Sequence, residues 1–258
     1  MASVPPKFAL AHDGVRIAWR EDGAPTSPAI LLCSIGTAAM SVWDNIVTPL
    51  SAIGRVIRYD RRGDGDSDLG TEKSHTFSTY AADAVAVLDA AGCERAAICG
   101  MAFGARVALR LALDAPQRVG TLVLFDATGG PPAPEKERIA GQQEAARLRR
   151  AAGLNEFARE RRWFHRRHAA GAIYSRNAFL NQPSWIVGAA TITARTLVAC
   201  GDCDPNLTGA QRLAHEIPNA RFERMPMTGH ASILERPELV LSLLTAFAMH
   251  AHETQQPQ

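Results

Sequence analysis

Three short segments carry the residue types that nucleophilic acyl transfer requires. Gly100-Met101-Ala102-Phe103-Gly104 has the glycine spacing of a G-x-S-x-G turn, in which a sharp strand-to-helix corner presents its central residue. Small residues two positions to either side let the flanking chains approach closely. Gly201-Asp202-Cys203-Asp204 supplies an acid, and Met227-Thr228-Gly229-His230 supplies a histidine. A histidine that takes a proton, an acid that fixes its tautomer and a central nucleophile make a catalytic triad. The chain order of nucleophile, acid and histidine separates this arrangement from the other triad orders. The position that should carry the attacking hydroxyl is Ala102, and a methyl group has no lone pair for His230 to activate.

These segments need a scaffold that ends strands in tight turns. Short apolar runs bounded by Gly, Pro or Asp recur at Ala29 to Cys33, Arg55 to Tyr59, Ala96 to Cys99, Thr121 to Phe125 and Thr196 to Cys200. They have the character of buried parallel strands. Helical spacing between them, as in Thr79 to Ala91 and Arg106 to Asp114, gives the alternation that a parallel sheet with crossovers demands, so the fold class is α/β. Lys7 to Trp19, with Asp13-Gly14 at its centre, predicts a hairpin at a sheet edge. From Gly129 the pattern turns Pro-rich, then Glu- and Arg-rich, without strand candidates, and the sheet resumes at Thr196. The expected organisation is a core over 1–128 and 190–250, a helical cap insertion over 129–189 and a polar, disordered tail over 251–258.

Bulk composition narrows the function classes. The 258 residues are 47% hydrophobic and 21% charged, as in a globular domain. A net charge of +2 is too small for a nucleic-acid partner, so a small molecule is expected. Five cysteines, with Cys33, Cys99 and Cys200 each closing an apolar run, read as free buried thiols of a reducing compartment. The start lacks an apolar signal region and no stretch approaches a membrane span, so the expectation is a cytoplasmic protein without a membrane partner. Cys200-Gly-Asp-Cys203 matches C-x-x-C, yet no second Cys/His pair stands at metal spacing, and no metal or organic cofactor is expected. Oligomeric state is not readable from these features.

Taken with Asp60-Arg-Arg-Gly-Asp-Gly-Asp-Ser67, similar to a D-x-R-G-x-G-x-S loop, the three segments make the chain resemble the α/β-hydrolase superfamily from about Phe8 to Phe247. The resemblance implies a mostly parallel central sheet flanked by helices. Cys33-Ser-Ile-Gly-Thr37 followed by Trp43-Asp44 most resembles the N-S-L-G-T…W-D segment of 3-oxoadipate enol-lactonases, on the esterase and lactonase branch. It further implies that a serine attacks an ester or lactone carbonyl, that His230 and Asp204 serve it, and that the N–H groups of Ile35 and Phe103 form the oxyanion hole.

Alternatives remain at several positions. Asp202 lies two residues from Asp204, and Asp126 follows a strand where some family members hold their acid. The acids of the 60–68 loop read as caps for loop amides. In the insertion, Arg159, Arg162 and Arg166 fall at helical spacing, which suits a solvated face; the functional reading has one of them gripping a substrate carboxylate. Arg162 and its neighbour Trp163 are the substrate-binding candidates, while spacing does not say which of Trp163, Phe164, Tyr174 or Trp185 faces inward. Ala102 has three readings: a Ser-to-Ala variant of a working hydrolase, a natural binding module, or an enzyme using His230 as general base without a serine. An aspartate nucleophile is a further ancestral state, against which the enol-lactonase-like segment speaks for serine.

Overall fold

The apolar runs assemble as one sheet. The computed structural model describes residues 5–249 apart from 155, 157, 158, 183 and 185, so Trp185, His250, His252 and the 251–258 tail lie outside it. In chain order the elements are β1 (Lys7–Leu10), β2 (Arg16–Asp22), β3 (Ala29–Cys33), α1 (Asp44–Ser51), β4 (Arg55–Tyr59), α2 (Phe77–Ala90), β5 (Ala96–Met101) and α3 (Phe103–Asp114). There follow β6 (Val119–Phe125), α4 (Glu135–Ala151), α5 (Ala170–Leu180), α6 (Ile186–Ala189), β7 (Arg195–Gly201), α7 (Leu207–Glu216), β8 (Ala220–Met225) and α8 (Pro237–Met249).

The eight strands run in the order β1-β2-β4-β3-β5-β6-β7-β8. Strands β3 to β8 pair in parallel, and β1 and β2 add an antiparallel edge, with Lys7 opposite Trp19 across a turn that Gly14 closes at φ 80°. The central strands are nearly continuous apolar sequence because both faces are covered. One cluster, with Ile98, Leu122, Leu124 and Val198, packs under α2, α3 and α7; the other, with Leu32, Val123, Phe125 and Leu197, packs against α1 and α8.

Strand order reverses at β3, which has β4 on one side and β5 on the other. In open α/β sheets the crevice at the carboxyl ends of such strands is where ligands bind. The loops after β3, β5, β6, β7 and β8 all emerge there. A buried carboxylate ties the loop after β3 to the loop after β4: Asp60, just past β4, accepts from Met40 N at 2.6 Å and Asp66 N at 2.9 Å. The acid thus clamps loop amides, and burial pushes its carboxyl up to about 6.

Between β6 and β7 the chain is helical, with α4, α5, α6 and a short 3-10 turn at Arg161–Phe164. Helix α4 lies directly on the β7 and β8 loops. Its Gly141 lies so close to the Cys203 carbonyl that a Cβ there would overlap it. The next residue, Gln142, donates through Nε2 to the His230 carbonyl at 2.6 Å, and two turns further Arg149 Nη1 donates to the Met227 carbonyl and to Glu235.

Candidate active site

Ala102 forms the corner between β5 and α3 with φ 51° and ψ −109°, a conformation that residues bearing a Cβ rarely adopt. Close packing enforces it. A Cβ at Gly100 would meet the backbone of Gly104, and one at Gly104 would meet the Cys33 carbonyl, so both glycines are needed for α3 to start against β3 and β5. Ala102 N donates to the Phe125 carbonyl at 2.9 Å, which fixes the corner to β6.

Strain of this kind costs about 1–3 kcal/mol. Glycine would remove it while losing roughly 0.5–1 kcal/mol of chain entropy on folding. Ala102→Gly is therefore expected to raise the unfolding free energy by about 1 kcal/mol. Urea unfolding checks this; a less stable variant would show that the corner is not strained.

The histidine loop is tied to the same corner. Met101 Sδ accepts from Ile233 N at 3.3 Å and from Ser232 Oγ at 3.7 Å, so the segment just past His230 grips the residue before Ala102. His230 Nδ1 lies 2.9 Å from Asp204 Oδ2. That contact places the ring proton on Nδ1 and leaves Nε2 as the acceptor; among the described residues Nε2 has no partner. The other oxygen, Asp204 Oδ1, accepts from Asn206 N and Asn206 Nδ2, each at 2.9 Å. Asp202 instead accepts from Thr228 N at 3.2 Å, joining the acid loop to the histidine loop.

Asp126 is the second acid of the cluster. It stands at φ 52° just beyond β6, fully buried, with Oδ2 accepting from Ser232 N at 2.7 Å and Oδ1 without a partner. Burial, and then the negative charge of Asp204, push its carboxyl up to about 7. In the unfolded chain that group ionises near 3.8, so between the two values folding takes up a proton and stability falls as pH rises. Asp126→Asn keeps an acceptor for Ser232 N and removes the titration. The parent should therefore lose stability relative to the variant across that window, as read by urea unfolding at several pH values; parallel profiles would contradict the assignment.

Phe103 N opens α3, and Ile35 lies in the loop after β3; neither N–H has an intramolecular acceptor among the described residues. The candidates in the insertion are placed differently. Trp163 is 1% exposed and packs in the cluster containing Ile35 and Trp43, with its indole N–H unpartnered. The Arg162 side chain is 60% exposed and paired with Glu160 and Asp44. Arg166 reaches the core and bonds Asp64 at 2.7 Å.

Among the described residues one trio, Asp126, Cys200 and Asp204, brings three possible metal-ligand atoms within 4.8 Å of one another. Burial and the neighbouring carboxylates push the Cys200 thiol far up, so it is a donor aimed at Asp204 rather than a thiolate. Asp204 is committed to His230 and Asn206. The trio is the acidic backing of the histidine, and Cys200 and Cys203 are both free. Asn206, Ser232 and Gln142 were not legible as site residues. Only Asn206, two residues after an aspartate in a turn, carries a local signal.

Similar proteins agree with this architecture. Rhodomycin D methylesterase of Streptomyces sp. strain C5 is 31% identical over 88% of this chain and 92% of its own. The chain spans about two fifths of the length of some other curated relatives it matches. Est816, an N-acyl homoserine lactone degrading enzyme, superposes with a TM-score of 0.75 and 26% identity over 93% of this chain and all of that one. The enol-lactonase of Burkholderia xenovorans LB400 shares the fold, with a TM-score of 0.77 at 22% identity over 94% of this chain and all of that one. No helix among the described residues is long and apolar enough to cross a membrane. The sequence profile of the alpha/beta hydrolase family matches residues 23–243, a span that holds the Ala102 corner, Asp204 and His230, and the chain belongs to that family.

Proposed function

We propose that the chain is a serine-type hydrolase of a small-molecule ester or lactone in its Ser-to-Ala form, with Ala102 where the attacking hydroxyl belongs. One observation carries the reading: an alanine is held in strained corner geometry beside an ordered Asp204–His230 pair. An inert scaffold has no use for that strain. The hydrolase relatives point the same way. In the complete enzyme the hydroxyl at 102 adds to the carbonyl as His230 Nε2 takes its proton, and the negative charge on the carbonyl oxygen is met by Ile35 N–H and Phe103 N–H. Asp204 holds the imidazole and balances its positive charge. His230 then returns the proton to the departing alcohol, and water releases the acyl group. The 129–189 segment acts as the cap that shapes the pocket, with Trp163 as a wall behind the oxyanion loop and Arg162 at its rim. The protein works in the cytoplasm without a cofactor.

The test is hydrolysis of an uncharged aryl ester by Ala102→Ser beside the parent chain. Activity that appears only in the variant supports the proposal. Activity absent from both makes the fold a binding module, and equal activity in both makes His230 a general base that works without a serine.

A further inference from the structure

Asn206 immediately precedes α7, the position from which an asparagine side chain ordinarily caps the first turn of a helix. Here it makes no such bond. The residue is buried, and its amide faces other partners: Oδ1 accepts from Ala133 N at 2.7 Å, while Nδ2 donates to Asp204 Oδ1 at 2.9 Å and lies 3.3 Å from His230 Nδ1. A backbone N–H faces Oδ1 and a carboxylate faces Nδ2, so the neighbours dictate which way the amide points. Its polar atoms thus lie between Ala133 and the Asp204–His230 pair, with none left to cap α7.

Ala133 belongs to the segment that leads from β6 into α4, which reads Pro131-Pro132-Ala133-Pro134. Proline has no N–H, so Ala133 is the one residue of these four that can donate a backbone hydrogen bond, and its donor goes to Asn206. The same segment packs along α7. A Cβ on Gly209 would meet the Thr128 side chain at 2.9 Å, and one on Gly129 would meet Leu213 at 3.2 Å. Positions 206, 209 and 213 share one helical face, so the strap from Thr128 to Pro134 runs back along that face and reaches its start at Asn206.

We propose that Asn206 is a positioning residue that ties this strap to Asp204, so that the seated strap holds the carboxylate in the orientation that fixes the His230 tautomer. The catalytic consequence rests on the hydrolase reading, whereas the relay from Ala133 through Asn206 to Asp204 does not. Without Nδ2, Asp204 Oδ1 keeps the Asn206 backbone N–H as its one donor among the described residues, and the carboxylate can turn away from His230 Nδ1. Without the Ala133 N–H, the amide loses the contact that keeps Nδ2 on the acid.

The parent chain gives a readout that needs no turnover. Nitrogen-labelled histidine spectra, with His230 assigned against His230→Gln, report the tautomer of its neutral ring. The parent should show the Nδ1–H form, and Asn206→Ala and Ala133→Pro should each bring in a substantial Nε2–H share. Proline suits the extended backbone that Pro134 already demands of residue 133. Ala133→Gly keeps the N–H and should show the parental spectrum. In the Ala102→Ser background, Asn206→Ala should lower kcat about thirtyfold and change KM less than about twofold, as for one lost hydrogen bond to a charged group. Ala133→Pro should lower kcat about tenfold by itself and no further once Asn206→Ala is present, because both act through one amide. Circular dichroism verifies folding; if Asn206→Ala does not fold, Ala133→Pro decides, since it alters no residue of the sheet or of α7. An unchanged tautomer in the folded variants, a loss carried by KM rather than kcat, or fully additive losses would overturn the proposal. Tautomer changes in a protein whose Ala102→Ser form stays inert would retain the relay and remove the hydrolase reading. An active Ala102→Ser form indifferent to both substitutions would do the opposite.

Discussion

Ala102→Ser is expected to raise hydrolysis of an uncharged aryl ester on the order of a millionfold over the parent chain, the amount lost when a triad nucleophile is deleted. So large an effect follows from the proposed reading, in which the hydroxyl alone is missing from the centre. The corner at position 102 already has φ 51°, so the new Oγ inherits the geometry without rearrangement. His230 Nε2 is free to accept its proton because Nδ1 is engaged by Asp204. The Phe103 and Ile35 N–H groups carry no competing acceptor among the described residues. Steady-state rates with p-nitrophenyl acetate measure the gain; a rise below about a hundredfold would mean that His230 and position 102 do not act as a unit.

The second large effect separates the two buried acids. In the Ala102→Ser background, Asp204→Asn is expected to lower kcat roughly ten-thousandfold, since an amide lets the imidazole adopt the wrong tautomer. Asp126→Asn should cost less than about tenfold, because a group held by Ser232 N and without a bond to His230 supports the loop rather than the ring. The contrast follows from geometry: Asp204 Oδ2 lies 2.9 Å from Nδ1 and has its other oxygen fixed by two donors from Asn206. If Asp126→Asn proved the more damaging change, the acid would lie at the end of β6 and Asp204 would be its support.

Much of this was legible in the sequence because local rules and tertiary rules agree there. The β5 run must end at Gly100 to Gly104, since nothing larger than glycine fits at either position, and the same constraint is visible as a spacing in the chain. The Asp13-Gly14 turn writes its own hairpin. Side chains whose direction depends on distant packing were not legible. Trp163 and Arg162 are neighbours in one short 3-10 turn, yet one is driven into the cluster around Trp43 and the other out to Asp44 and Glu160. No periodicity in so short a turn distinguishes them. Arg106 is a charged residue within the buried stretch Phe103 to Leu109, and nothing in its local sequence shows that it is buried.

Covalent labelling tests the central claim most directly. Exposure of Ala102→Ser to a fluorophosphonate, followed by intact mass and peptide mapping, should give one adduct per chain at position 102, with none in the parent and almost none when His230→Ala is added. A folded Ala102→Ser variant that remains unlabelled, or one labelled equally without His230, would contradict the account of this site as a complete serine-hydrolase centre lacking a single oxygen atom.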